Sequence, residues 1–199
     1  MNSRVNIVRA DAADAEKITT ILSTGFYADP VCRWFFPDDA ERRRLQPLLF
    51  GPIVDMTLKD GEVYATEDRT AAALWLPVNA GEHADGPSME EFYEPILGPS
   101  YAKRIGAYGE RSTATHPTHA DHLYLTFIAV QPDRFGRGIG TALLRDRLDA
   151  MDERGVPTYL EASNPDSRRL YERLGYRQLG PAMDMPDGPS MWPMWRDPA

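Results

Sequence analysis

The stretch QPDRFGRGIGTALL, residues 131–144, constrains the fold more than any other part of this chain. Before it runs LYLTFIAV (residues 123–130), apolar, β-branched and aromatic, which suits a strand buried on both faces. After it, Ala142, Leu143, Leu144, Leu148 and Met151 recur at helical spacing up to a stop at Gly155. A strand therefore passes through a glycine turn into a helix. The first-turn N–H groups of such a helix have no intrahelical partner, and with the helix dipole they favour an anion. Gly136, Gly138 and Gly140 let the backbone approach a phosphate with no Cβ in the way. Arg134 and Arg137 would add charge-assisted contacts. No lysine follows Gly140, which argues against a P-loop; Thr141 stands where a dinucleotide fingerprint counted from Gly136 needs its third glycine. On the glycines alone, a tight turn without a ligand stays open.

Around this turn the pattern alternates between strands and helices. RVNIVRA reads as a first strand over residues 4–9. A helix follows it, with Asp11 as N-cap and Ala15, Ile18, Ile21, Leu22 and Phe26 on its apolar face. Residues 27–61 are rich in aromatics and helical after Pro37; the run Arg42, Arg43, Arg44 reads as a solvated helix face. GEVYAT and AAALWLPV form a hairpin around residues 67–70. Residues 79–120 read as a loop and one or two helices inserted over one face. Beyond Gly155, PTYLEAS is a strand and NPDSRRLYERLG a short helix, with Asn164 at its cap, Pro165 in its first turn and Gly175 at C′. The chain closes with two strands around Asp187 and Gly188.

Composition narrows the function. The net charge of −8 disfavours nonspecific binding to nucleic acid or anionic membrane and tolerates a cationic substrate. The single cysteine, Cys32, excludes an intrachain disulfide framework and a cysteine-based metal site. His116, His119 and His122 invite a metal reading, yet no other ligand set converges on them, so no metal is expected; His122 as an auxiliary base stays open. The N-terminus carries no apolar targeting segment and no window reaches transmembrane length, so a cytoplasmic protein is expected.

AVQPDRFGRGIGTALL resembles the acetyl-CoA-binding signature of the GCN5-related N-acetyltransferases (GNAT), a strand, then [Q/R]-x-x-G-x-[G/A], then a helix. YLEASNPDSRRLYERLGY resembles that family's second signature, with Asn and Tyr on a short helix. The two cover residues 123–180 in the family's order. The C-terminal segment looks closest to the puromycin N-acetyltransferase-like branch, which adds antibiotic modification to the expectations. One departure stands out: Phe135 occupies the Gln/Arg position of the first signature. The resemblance implies an α/β GNAT fold over residues 1–199 as a single domain, with a mixed central sheet of about six to seven strands flanked by helices. It also implies transfer of an acetyl group from acetyl-CoA to an amine by direct attack in a ternary complex. A protein or peptide acceptor, or an acyl-CoA sensor without turnover, are the alternatives. A monomer or homodimer is expected.

That chemistry needs a neutral amine, a polarised thioester and a protonated leaving thiolate. Tyr171 is the candidate acid, because a phenol stays protonated at neutral pH and lies two turns after Asn164 on one helix face. Glu161, a carboxylate in an interior strand, is either the base, an anchor for a cationic substrate, or half of an ion pair with an arginine. Glu172 faces elsewhere. Coenzyme contacts are expected from Ile128, Ala129 and Val130 through their backbone, from Arg134, Phe135, Gly136, Arg137, Gly138, Ile139, Gly140 and Thr141 at the turn, and from Asn164, Ser167 and Tyr171. The acceptor pocket is expected from Phe26, Tyr27, Trp34, Phe92 and Tyr93, with His83, Tyr101 and Tyr108 nearby, although aromatics at helical spacing serve equally as core.

Overall fold

The computed structural model describes residues 5–81 and 86–199; Arg4 and His83 lie outside them. The described elements are β1 (Ile7–Arg9), α1 (Ala15–Gly25), α2 (Pro30–Phe35), α3 (Asp39–Asp60), β2 (Glu62–Thr66), β3 (Ala71–Val78), α4 (Met89–Leu97), α5 (Pro99–Thr115), β4 (His122–Val130), α6 (Ile139–Arg154), β5 (Thr158–Ala162), α7 (Pro165–Arg173), β6 (Arg177–Gln178), β7 (Met183–Asp184) and β8 (Ser190–Arg196). The strands form one mixed sheet in the order β1-β2-β3-β4-β5-β8-β6, with β7 paired to β8. The α/β architecture is the expected one. The described sheet has eight strands rather than six or seven, because the closing segment breaks into two-residue strands, β6 and β7, that both pair with β8.

Side-chain alternation along the strands feeds two cores. Ala72 and Leu74 point into one, with Ile18, Ile21 and Leu22 from α1, Phe36 just after α2 and Phe50 from α3. Ala73 and Trp75 point into the other, with Leu144, Leu148 and Met151 from α6. Most of the central sheet is thus covered on both sides. β4 is the exception. His122, Leu123, Leu125 and Ala129 are buried, whereas Thr126, Phe127, Ile128 and Val130 are only partly so, because the second half of the strand borders a cleft.

The cleft arises from strand pairing. β4 and β5 run parallel, but they pair only through Leu123–Leu125 and Thr158–Leu160. The β3–β4 register skips one residue between Leu74 and Trp75, leaving Thr126 as the extra residue of a bulge. A bulge bends its strand, and beyond it β4 leaves β5. The β5-facing edge from Thr126 to Val130 is then free of sheet partners.

Gly25, at the end of α1, seats that helix against the end of β4. A Cβ there would lie 2.8 Å from Ala129 Cβ and 3.0 Å from the Val130 carbonyl oxygen. Gly25→Ala should therefore destabilise the fold by about 1–3 kcal/mol, read from a urea midpoint with an unchanged slope.

The run Arg42–Arg44 is not uniformly solvated. Arg42 is buried: it donates to the Phe36 carbonyl at 2.8 Å, pairs with Asp39 and lies 4.6 Å over the Tyr27 ring. The Tyr27 ring and the carbonyl at the C-terminal end of α2 draw one arginine of the three inward. Arg44 stays on the surface, paired with Glu41.

Candidate active site

The glycine turn adopts the geometry its sequence implies. Gly136 and Gly138 both have φ of 74°, a region that costs a side chain strain, and an added Cβ at either would meet nothing within 4 Å. Gly138 is the N-cap of α6, and the first bond into the helix runs from Ala142 N–H to the Gly138 carbonyl at 3.0 Å. The N–H groups of Ile139, Gly140 and Thr141 precede that bond and are left for an outside acceptor. Arg137 bonds back to the Asp133 carbonyl, and Arg134 pairs with Asp133. Phe135 is 58% exposed at the cleft mouth. Open backbone donors beside an open strand edge fit a phosphate-bearing, amide-rich arm such as coenzyme A.

The cleft holds about 270 Å³ and runs from this turn along β4. It is bordered by Ile128, Ala129, Val130 and Gly140, by Asn164 at the cap of α7, by Ser167 and Tyr171 within α7, and by Glu161 of β5. Phe26, Phe35, Phe50 and Phe127 supply its apolar wall. The structure therefore gathers nine of the fifteen expected catalytic and coenzyme residues around one space. Arg134, Gly136, Arg137, Gly138, Ile139 and Thr141 sit at the turn and do not line it.

Four of the five expected acceptor-pocket residues lie elsewhere. Tyr27 donates to the Asp39 carbonyl and carries Arg42 on its ring. Trp34 donates to the Pro186 carbonyl beside Gly188. Tyr93 is buried with its hydroxyl on the Leu49 carbonyl, and Phe92 is exposed on α4. Each was drawn into helix packing or left on the surface. Phe26 alone of the five borders the cleft; Phe35, Phe50, Phe127 and Tyr108 make up the rest of its aromatic wall.

Asn164 caps α7 by accepting from Ser167 N–H at 2.9 Å. Its amide also reaches toward Asp29 and Ser163. Asp29 is a cleft residue that sequence reasoning missed. One oxygen of its carboxylate caps α2 through Val31 and Cys32 N–H; the other accepts from Ser163 Oγ at 2.5 Å. Burial raises its pKa, against the pull of those hydrogen bonds. The Asp-Pro start of α2 signals a cap, but not that the cap faces a cleft.

Tyr171 is buried, and among the described residues its hydroxyl has no hydrogen-bond partner. Burial holds its pKa well above the ordinary phenol value, with further contributions from Tyr176 and Asp29. It is thus a protonated donor open to the cleft. Glu172 faces away, paired with Arg168.

Among the described residues Glu161 has no arginine partner. Four hydroxyls surround it: Ser112 at 2.7 Å and Tyr159 at 3.1 Å on Oε1, Tyr124 at 2.6 Å and Tyr108 at 3.4 Å on Oε2. Burial raises its pKa and outweighs the lowering by these donors. Tyr159 lies two residues before Glu161 on the same face of β5, and parallel pairing sets Tyr124 beside Tyr159. Period-two alternation could have found Tyr159; Tyr124 needed the register. Behind them, His116 and His122 face each other with Nε2 atoms 3.1 Å apart, and burial pushes His116 down to about 4. Cys32 is buried, and its thiol is raised far above its ordinary range.

Residues 104–176, spanning the β4–α6 turn and α7, match the family model described as the Acetyltransferase (GNAT) family. Over that segment the chain is similar to the GNAT acetyltransferases. An uncharacterised N-acetyltransferase of Schizosaccharomyces pombe is 25% identical over 186 residues, covering 84% of this chain and 72% of that protein. A mycothiol acetyltransferase of Thermomonospora curvata is 31% identical over 152 residues, 66% of this chain, and the chain spans about half (49%) of that protein's length. Among solved structures, arylalkylamine N-acetyltransferase 2 of Aedes aegypti superposes with a TM-score of 0.73 at 14% identity, covering 99% of this chain and 100% of that one. At that identity the likeness shows the fold, and the α/β GNAT fold with its mixed sheet is the one described above. No helix among the described residues is long and apolar enough to cross a membrane.

Proposed function

We propose that this protein is an acetyl-CoA-dependent N-acetyltransferase whose acceptor is a small primary amine with an apolar body. The observation that carries the acceptor class is the cleft's charge: Asp29 and Glu161 border it, and among the described residues no lysine, arginine or histidine does. An ammonium head is drawn to such a site, and an acceptor bearing a carboxylate or phosphate is repelled. The four phenylalanines of the wall favour an aliphatic or aromatic body. A small monoamine suits this enclosed, apolar space better than a peptide does. The similar fold of the arylalkylamine N-acetyltransferase 2 of Aedes aegypti is in keeping with this class. The resemblance to the puromycin N-acetyltransferase-like branch adds aminonucleosides to the acceptors worth testing.

In this reading the turn amides and the open β4 edge hold the pyrophosphate and the pantetheine arm. The thioester then lies between Tyr171 and Glu161. The neutral amine attacks the thioester carbon, the C–S bond breaks, and its electron pair leaves on sulfur, which takes the Tyr171 hydroxyl proton. The amine's surplus proton ends on Glu161. Exchange with solvent restores both groups.

The test is a panel of phenethylamine, an aminonucleoside, an aminoglycoside, a zwitterionic amino acid and a short peptide, each mixed with acetyl-CoA and followed by thiol release. Phenethylamine or the aminonucleoside should be turned over fastest and the amino acid slowest. Preference for the peptide would favour a protein acceptor. Tight acetyl-CoA binding with no turnover on any acceptor would favour a sensor.

A further inference from the structure

We propose that Tyr108 relays the acceptor's proton to Glu161, so that amine and carboxylate never exchange it directly. This rests on the acetyltransferase reading above and assigns a further catalytic residue within it.

The argument begins with the occupancy of Glu161. A carboxylate offers about four acceptor positions. Ser112 and Tyr159 fill those of Oε1, and Tyr124 and Tyr108 those of Oε2. An arriving amine therefore meets a hydroxyl before it meets a free lone pair. Of the four donors, only Tyr108 borders the cleft; Ser112, Tyr124 and Tyr159 do not line it. Tyr108 comes from α5, and its ring packs edge-on against Phe35, a residue of the cleft wall, at 5.9 Å. Ring and hydroxyl thus have separate jobs: one forms the wall, the other bridges cleft and carboxylate.

The bridge is also the loosest of the four contacts. At 3.4 Å it exceeds the usual 2.5–3.0 Å of an O–H···O bond. Catalytic hydrogen bonds are commonly long before substrate arrives and tighten in the reacting complex. A phenol is suited to the task because its oxygen accepts while its proton is donated. As nitrogen bonds to the thioester carbon, the N–H proton passes to Tyr108 Oη and the Tyr108 hydroxyl proton passes to Glu161 Oε2. Tyr108 ends as the neutral phenol it began as, and Glu161 as the neutral acid. Burial and the adjacent carboxylate both oppose a phenolate at Tyr108, in keeping with a transfer in which no phenolate accumulates.

The experiment measures thiol release by the full chain with the fastest acceptor of the panel. Tyr108→Phe should lower kcat about tenfold to a hundredfold and leave KM for acetyl-CoA within about twofold. Tyr124→Phe removes a shorter bond to the same oxygen but no cleft group, and it should lower kcat no more than about threefold. The double variant Tyr108→Phe/Glu161→Gln should be no slower than Glu161→Gln alone, because both sit on one proton path. Tyr108→His, which keeps a group that accepts and donates, should recover most of the loss and decides the matter if Tyr108→Phe does not fold. Wild-type kcat in Tyr108→Phe, multiplying effects in the double variant, or a Tyr108→His as slow as Glu161→Gln would each overturn the relay and leave the acetyltransferase reading intact. Absence of transfer by the unaltered protein with every acceptor would overturn both.

Discussion

Tyr171→Phe should lower kcat by about a hundredfold to ten-thousandfold while acetyl-CoA binds with unchanged affinity. The substitution removes one oxygen from a side chain that is 7% exposed and leaves the ring in place. That hydroxyl has no hydrogen-bond partner among the described residues, so its loss breaks no structural bond and should not lower the melting temperature. Burial holds the Tyr171 phenol above its ordinary value, so at neutral pH it stands protonated as a donor for the departing thiolate. Kinetics and calorimetry separate the roles: a core tyrosine would affect neither parameter, and a coenzyme-binding tyrosine would weaken acetyl-CoA binding. Only an acid lowers kcat alone.

Glu161→Gln carries the second large effect. Removing the proton acceptor should lower kcat about a hundredfold or more. Stability should move the other way or stay level. Burial raises the folded-state pKa of Glu161 above its unfolded value, so its charged form costs stability once the pH exceeds the unfolded value near 4.5, with the full cost present above the folded pKa. A neutral glutamine carries no such cost at pH 7. Lower activity with an equal or higher melting temperature is the expected pair of results. The same shift predicts that kcat/KM of the unaltered enzyme falls on acidification through a pKa above the ordinary glutamate value, and that this limb disappears in Glu161→Gln. The hydroxyls facing Glu161 are those of Tyr108 and Ser112 from α5, Tyr124 from β4 and Tyr159 from β5, and none of these titrates in that acidic window. Asp29 in the same cleft also has a raised pKa, and His116 beside Tyr124 and Tyr159 is lowered to about 4, so it is the loss of the limb in Glu161→Gln that assigns it to this carboxylate.

Much of the donor half of the site was legible in the sequence, because its signals are local. Positive φ at Gly136 and Gly138, the cap at Asn164 and the stop at Gly175 are each fixed by a few neighbouring residues. The acceptor half was not. Phe26 and Tyr27 are adjacent in sequence, yet one borders the cleft and the other lies under Arg42; helical spacing alone does not say which. The place of Asp29 in the cleft had no local signal, because its Ser163 partner lies 134 residues away, and the Ser112 and Tyr124 hydroxyls on Glu161 come from 49 and 37 residues away. The opening between β4 and β5 depends on a one-residue register shift that no strand pattern announces. Tertiary pairing decides all three.

Initial velocities measured over a grid of acetyl-CoA and phenethylamine concentrations test the central claim most directly. Direct attack in a ternary complex predicts double-reciprocal lines that intersect. Parallel lines would mean that the acetyl group rests covalently on the enzyme between substrates, a role for which the buried, high-pKa Cys32 is poorly suited. Parallel lines, or thiol release that does not depend on the amine, would contradict the account.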